Sequence, residues 1–398
     1  METSRALIAD RATRHECLTR DAPTPFPTLP LSAVPDRRQF LKELGLATLA
    51  TAALGAVPRR TATAATAPAR RRWDSTRPFN VVAIGDSIVW GQGLPTEAKF
   101  TSQTRAWLEQ RLQVPVTLTV FAHSGAVIAR RPDDTACTYK TVYAGEPPNL
   151  SPSITAQAWW AAGKGPAMCA GGPSPVAPND EVDLLLMDGG INDVDITHIL
   201  NPAYGNLLPL TRRSCRIAMS ALLADVVTLF PNAKVLVTGY YQIVSEVSDI
   251  SVLGPALLNV GVLGVPSQFT AFARGYGGEP KLRRRLAKRC ADFHRTATTS
   301  YRTAIAKVNH TFQRDYRFVD PKFGPRNAIG AADTWLWPAD AADPAKTGRI
   351  EQCIDRYGKV SLLPDAGKCR TASIGHPNIA GAQAYTDAII RELTGMRM

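Results

Sequence analysis

Residues 81–91, Val81-Val82-Ala83-Ile84-Gly85-Asp86-Ser87-Ile88-Val89-Trp90-Gly91, join an apolar run to a serine set between glycines. Four apolar residues without a polar break predict a strand buried on both faces, as in a parallel sheet covered by helices. Gly85-Asp86 ends that strand abruptly. In open α/β sheets ligands bind beyond the carboxyl ends of the strands, so Ser87 falls where chemistry is done. On the local pattern alone, Ser87 or Asp86 serves equally well as a cap for the next helix. The partners found elsewhere in the chain decide between the two.

The same grammar repeats outward from this point. Spacing predicts a helix over Glu97 to Leu112, with Phe100, Thr104, Trp107, Leu108 and Leu112 on one face. A strand over Thr117 to Ala122 runs into His123-Ser124-Gly125-Ala126, and another over Val182 to Asp188 runs into Gly189-Gly190-Ile191-Asn192-Asp193. A helix over Thr211 to Phe230, a strand over Ala233 to Thr238, a helix over Lys281 to Lys307 and a strand over Tyr316 to Asp320 follow. His376 opens a last helix whose Ala382, Tyr385, Ile389 and Leu393 share a face. Alternating strands and helices without an internal repeat predict one α/β domain over residues 70–398.

Two stretches read as irregular. Residues 131 to 180 are rich in Pro and Gly, with one short helix near Ile154 to Ala162, and Pro321 to Gly367 reads as a long loop region. Residues 249–268 are mostly apolar but too short to cross a bilayer, which needs about 20 residues. They read either as a lid or lipid-facing insertion beside the site, or as ordinary buried core.

Composition narrows the function classes. The 398 residues are 45% hydrophobic and 20% charged, as in a soluble globular protein. The net charge of +12 would favour peripheral contact with an anionic lipid surface. No helix-turn-helix, zinc-finger or RNA-recognition pattern accompanies it, so nucleic-acid binding is not expected. Residues 1–69 read as a leader. Arg37-Arg38-Gln39-Phe40-Leu41-Lys42 precedes an uncharged Leu/Ala/Gly/Thr run and looks like a twin-arginine export signal, with small residues at 62–67 for cleavage. A secreted, monomeric protein is expected.

Export agrees with the cysteines. Cys17 lies in the leader, and the other six suit disulfides in an oxidising compartment. Neighbour pairing would join Cys137 to Cys169, Cys215 to Cys290 and Cys353 to Cys369. No Cys/His spacing suits zinc, so no metal is expected.

Together Ser87, Gly125, Asn192 and His376 make an acyl-transfer kit. A serine hydroxyl is a weak nucleophile until a base such as histidine takes its proton. Backbone N–H groups of Ser87 and Gly125 and the Asn192 amide can meet a developing oxyanion.

These residues resemble the SGNH or GDSL-type serine hydrolases in four ordered blocks: Gly85-Asp86-Ser87-Ile88, Ser124-Gly125, Gly190-Ile191-Asn192-Asp193 and His376-Pro377-Asn378. The resemblance implies a three-layer α/β/α sandwich around a five-stranded parallel sheet, and hydrolysis of small-molecule or lipid carboxylic esters without metal or cofactor. It implies Ser87 as nucleophile, His376 as base, and Ser87, Gly125 and Asn192 as the oxyanion hole. A carbohydrate or cell-wall O-acetyl esterase, or an exported binding protein of the same fold without chemistry, are the alternatives. The pattern departs in one place: Ser373 stands where the family has an aspartate three residues before the histidine. A backbone carbonyl or Ser373 is expected to orient the ring, with Asp340, Asp343 and Asp365 as other candidates.

Overall fold

The computed structural model describes residues 73–131, 134, 146, 152–164, 177–254, 269–338, 343–357 and 369–396. All of them belong to one compact unit, Ala67–Met398. The leader and its export signal lie outside the described residues, as do Cys137 and Cys169.

Five strands form one parallel sheet: β1 (Phe79–Ile84), β2 (Val116–Val120), β3 (Leu184–Met187), β4 (Lys234–Thr238) and β5 (Arg317–Val319), in the order β2-β1-β3-β4-β5. β1 and β3 are buried at every position, which is why they read as unbroken apolar runs. The helices are α1 (Ser87–Trp90), α2 (Phe100–Leu112), α3 (Ile154–Ala161), α4 (Ile191–Val194), α5 (Ile196–Leu200), α6 (Leu208–Arg212), α7 (Met219–Leu229), α8 (Phe269–Gly275), α9 (Glu279–Phe312), α10 (Pro344–Tyr357) and α11 (Ile379–Thr394). α2 packs on α11, while α7 packs on both α3 and α9, giving helical layers about the sheet. The fold is the α/β/α sandwich expected from sequence.

Strand order locates the site. From β1 the chain turns to β2 on one side and then to β3 on the other, so the crevice at the carboxyl ends of β1 and β3 is a topological switch point, where open α/β sheets bind ligands. Ser87 follows β1, and Asn192 follows β3.

Three expectations change. The single helix over Thr211 to Phe230 is α6 and α7 joined through a π-helical turn, Arg213–Ala218. Cys215 in that turn fills the space where a side chain on Gly190 would stand, its sulfur 2.9 Å from the Cβ position. The region Pro321 to Gly367 is not all loop, because it contains α10. The Cys215–Cys290 disulfide is absent: both thiols are free and buried. Cys215 faces the Tyr301 hydroxyl, whereas Cys290 faces the main chain of Val244 and Ile243, and burial pushes each thiol up to about 12. Cys353 and Cys369 are joined, with Cα atoms 5.6 Å apart.

No described helix is long and apolar enough to cross a membrane. Of residues 249–268, Ile250–Leu253 forms a 3₁₀ turn with Ile250 and Leu253 buried, and 255–268 lie outside the described residues.

Candidate active site

Where β1 ends, side chains join the main chain in holding its backbone groups, the Gly85 carbonyl still accepting from His123 N at 3.1 Å. Gln157 from α3 takes both sides of Gly85, its Oε1 accepting from Gly85 N (2.8 Å) and its Nε2 donating to Gly85 O (3.1 Å). Asp188 Oδ1 accepts from Asp86 N at 2.8 Å. Gly85 has φ +152°, and a Cβ there would lie 2.1 Å from Asp188 Oδ1, so only glycine fits. Asp86 then caps α1, its Oδ1 accepting from Ile88 N at 2.9 Å. Ser87 is thereby the first residue of a helix whose start is braced from three directions.

The second and third loops are braced in the same way. Ser124 donates its N–H to Glu146 Oε1 (2.7 Å) and its hydroxyl to Gln92 Oε1 (2.8 Å). Glu146 is buried, and its Oε2 lies 3.4 Å from His123 Nδ1. Asp193 holds Ile128 N at 3.0 Å, so Asp86 and Asp193 brace loops, as their place beside the turns suggested. Asn192 Nδ2 donates to Ala126 O at 2.9 Å, which fixes the amide and leaves its second hydrogen for another acceptor.

His376 is carried by a turn and a helix cap. Its N–H donates to Ser373 O, its carbonyl accepts from Trp337 N at 2.8 Å, and Leu336 bridges Pro377. Asn378 caps α11 by accepting from Gly381 N at 3.0 Å. This places His376 Nε2 2.7 Å from Ser87 Oγ.

The far side of the imidazole differs from the pattern of the resembled family. Nδ1 has no hydrogen-bond partner among the described residues, and neither has the buried Ser373 hydroxyl. Asp343 is used elsewhere, capping α10 through Ala345 N at 2.8 Å; Asp340 and Asp365 lie outside the described residues. Burial pushes the His376 pKa down to about 4, against the carbonyls of Ile374 and Ser373, which favour the charged ring. Among the described residues, main-chain carbonyls face this histidine, and neither a carboxylate nor the Ser373 hydroxyl does.

Below Ser87 lie two fully buried carboxyls, Asp86 and Asp188, with no cation against them among the described residues. Burial raises both pKa values, that of Asp188 the more strongly because the Asp86 charge adds to it. The two titrate as a pair: Asp86 receives two donors, which favour its charge, and that charge in turn disfavours a charge on Asp188.

Ser87, Gly125, Asn192 and His376 open into one cleft of about 200 Å³. Ile88, Ile191, Ile196, Leu200, Ile243, Leu253, Ile329 and Ile374 make most of its wall apolar, with Gln92 and Tyr241 completing it. His198 stands outside it, stacked on Tyr204 with Nδ1 2.9 Å from Val194 O. Among the described residues no group of three or more His, Cys, Asp or Glu could hold a metal.

Several residues that build the site carried no motif: Gln157, Asp188, Gln92, Glu146, Tyr240 and Tyr241. For Tyr240 and Tyr241 a signal existed, since they directly follow the end of β4, the same kind of position as Ser87 and Asn192.

Fold and site define an α/β/α protein with a serine–histidine pair at the switch point of a parallel sheet. No family model matches the chain, and no curated protein matches it significantly. Solved structures similar to it include an extracellular lipase from Streptomyces rimosus (14% identity, 79% of this chain and 99% of that one, TM-score 0.40) and phospholipase A1 from Streptomyces albidoflavus NA297 (14%, 79% and 99%, TM-score 0.39). A carbohydrate esterase family 2 enzyme of Corynascus thermopiles also matches (14%, 80% and 66%, TM-score 0.37). What each acts on is a property of that protein, and likeness at this level transfers no activity to this chain.

Proposed function

We propose that this protein is a serine hydrolase of SGNH type that cleaves carboxylic esters carrying an apolar acyl group, and that it works outside the cell. The observation that carries the reading is the 2.7 Å contact of His376 Nε2 with Ser87 Oγ inside a cleft walled by isoleucine and leucine. As Ser87 Oγ attacks the ester carbonyl, His376 Nε2 takes its proton, and the imidazolium then protonates the departing alcohol. Water, deprotonated by the same nitrogen, releases the acid from the acyl-enzyme. The Ser87 and Gly125 N–H groups and the free hydrogen of Asn192 meet the oxyanion, a single such donor contributing about 3 kcal/mol. The acyl chain lies along the apolar wall. That wall favours acyl lipid over a sugar acetate, and the Cys353–Cys369 disulfide agrees with export.

The test is hydrolysis of a chain-length series of nitrophenyl esters by the wild type and Ser87→Ala. Hydrolysis of medium-chain esters that disappears in the variant is expected, with a fluorophosphonate probe labelling Ser87. Equal rates in the two proteins would overturn the reading. Preference for acetate would transfer it to the O-acetyl esterase, and an unlabelled Ser87 to a binding protein.

A further inference from the structure

Just past β4, after Gly239, two consecutive tyrosines pack on different partners. The Tyr240 hydroxyl donates to Asp86 Oδ2 at 2.5 Å and accepts from Ile191 N at 3.2 Å. Asp86 precedes Ser87, and Ile191 precedes Asn192. The Tyr241 hydroxyl donates to Gly375 O at 2.8 Å, beside His376. Both rings are buried, Tyr240 against Phe293 and Tyr301, Tyr241 stacked on Phe323 with centroids 4.8 Å apart. Neither hydroxyl can move without its ring.

We propose that Tyr240 and Tyr241 are positioning residues that hold the nucleophile turn, the oxyanion turn and the histidine turn in register. The four blocks come from distant parts of the chain, and Asp188 on Asp86, Asn192 on Ala126 and Asp193 on Ile128 already join some of them. The two phenols tie one block to another. Tyr240 suits the task because a phenol offers one hydrogen and a lone pair together: it gives the hydrogen to Asp86 Oδ2 and takes the Ile191 N–H. Phenylalanine keeps the ring and its packing but breaks both bonds. With a nucleophile and an oxyanion donor free to separate, the transition state suffers more than substrate binding, since misplacement of about 1 Å costs about a hundredfold in rate.

This inference rests on the hydrolase reading, and its test separates the two. In Tyr240→Phe, kcat on a medium-chain nitrophenyl ester is expected to fall between about tenfold and a hundredfold with KM nearly unchanged. Tyr240→Phe combined with Asn192→Ala should lose less than the product of the two single losses, because the tie to the Asn192 turn has no oxyanion donor left to align. Tyr385→Phe is the matched control: its buried hydroxyl donates to Gly239 O at 2.7 Å, next to Tyr240 but outside the cleft. It should lower Tm and leave kcat alone. Tyr241→Phe carries the same kcat-against-KM test should Tyr240→Phe not fold. Wild-type kcat in folded Tyr240→Phe, additive losses in the double variant, or an equal kcat loss in Tyr385→Phe overturns the inference while Ser87→Ala remains inactive. Hydrolysis unchanged in Ser87→Ala overturns the hydrolase reading instead.

Discussion

His376 Nε2 stands 2.7 Å from Ser87 Oγ, while Nδ1 on the other side of the same ring has no hydrogen-bond partner among the described residues. A carboxylate at Nδ1 would hold the tautomer and stabilise the imidazolium. Here carbonyls of a tight turn face the ring, and burial favours its neutral form. The base is therefore ready to accept a proton at mildly acidic pH, but it holds the proton weakly once accepted.

The first prediction is a displaced acid limb. The neutral imidazole is the active form, and its pKa in the folded protein is about 4 instead of the usual 6.5. Activity should persist as pH falls through 6.5 and disappear as it falls through the folded value. Between those values the unfolded chain binds a proton here that the native state does not, so folding stability also erodes on acidification. Ser373→Asp should move the limb upward by placing a carboxylate three residues before the ring. A kcat/KM profile from about pH 3 to 8 for both proteins checks this; a wild-type limb near 6.5 would contradict it.

Asn192→Ala tests the oxyanion site. One amide hydrogen is committed to Ala126 O, which aims the other. Its loss should lower kcat by about 10²- to 10³-fold, with a smaller change in KM.

Glu146 separates charge from geometry. Glu146→Gln keeps an acceptor for Ser124 N–H but gives up the charge facing His123, and kcat should change little. Glu146→Ala removes the carboxylate acceptor of the buried Ser124 N–H, and loss of such a bond costs about 1–3 kcal/mol of stability. It should also slow turnover through the Gly125 loop, read by Tm and by steady-state kinetics together.

The thiols give a stability prediction. Replacing both Cys353 and Cys369 by serine opens a loop closed across 16 residues and should cost about 3 kcal/mol. Cys215 and Cys290 should react with a thiol reagent only after unfolding, because both are buried and held protonated. Failure of either to react in denaturant would restore a bond between them.

The errors of sequence reading share a cause. α10 was read as loop because its buried face carries Lys346 and Arg349 beside Cys353. Apolar periodicity assigns such charges to solvent. Here Arg349 donates to Leu94 O at 2.6 Å and Lys346 to Pro338 O at 2.5 Å, so main-chain carbonyls take the place of an apolar surface. Cys215 and Cys290 were paired on neighbour order, but their sulfurs face different parts of the core.

By itself the sequence determined the parallel sheet and the placing of Ser87, Gly125, Asn192 and His376 at its edge, because buried strands must be continuous in apolar residues and must end in turns of Gly, Asp and Asn. Those are properties of single segments, and a segment carries them wherever it sits. Only the tertiary structure decided what brings the segments into register and what faces Nδ1 of His376. Gln157, Asp188, Glu146, Tyr240 and Tyr241 do their work through one or two hydrogen bonds each to residues far apart in the chain, and such bonds leave no period in the sequence. The missing aspartate was visible at Ser373; that, among the described residues, main-chain carbonyls of the turn stand near the ring is a consequence of where folding puts it.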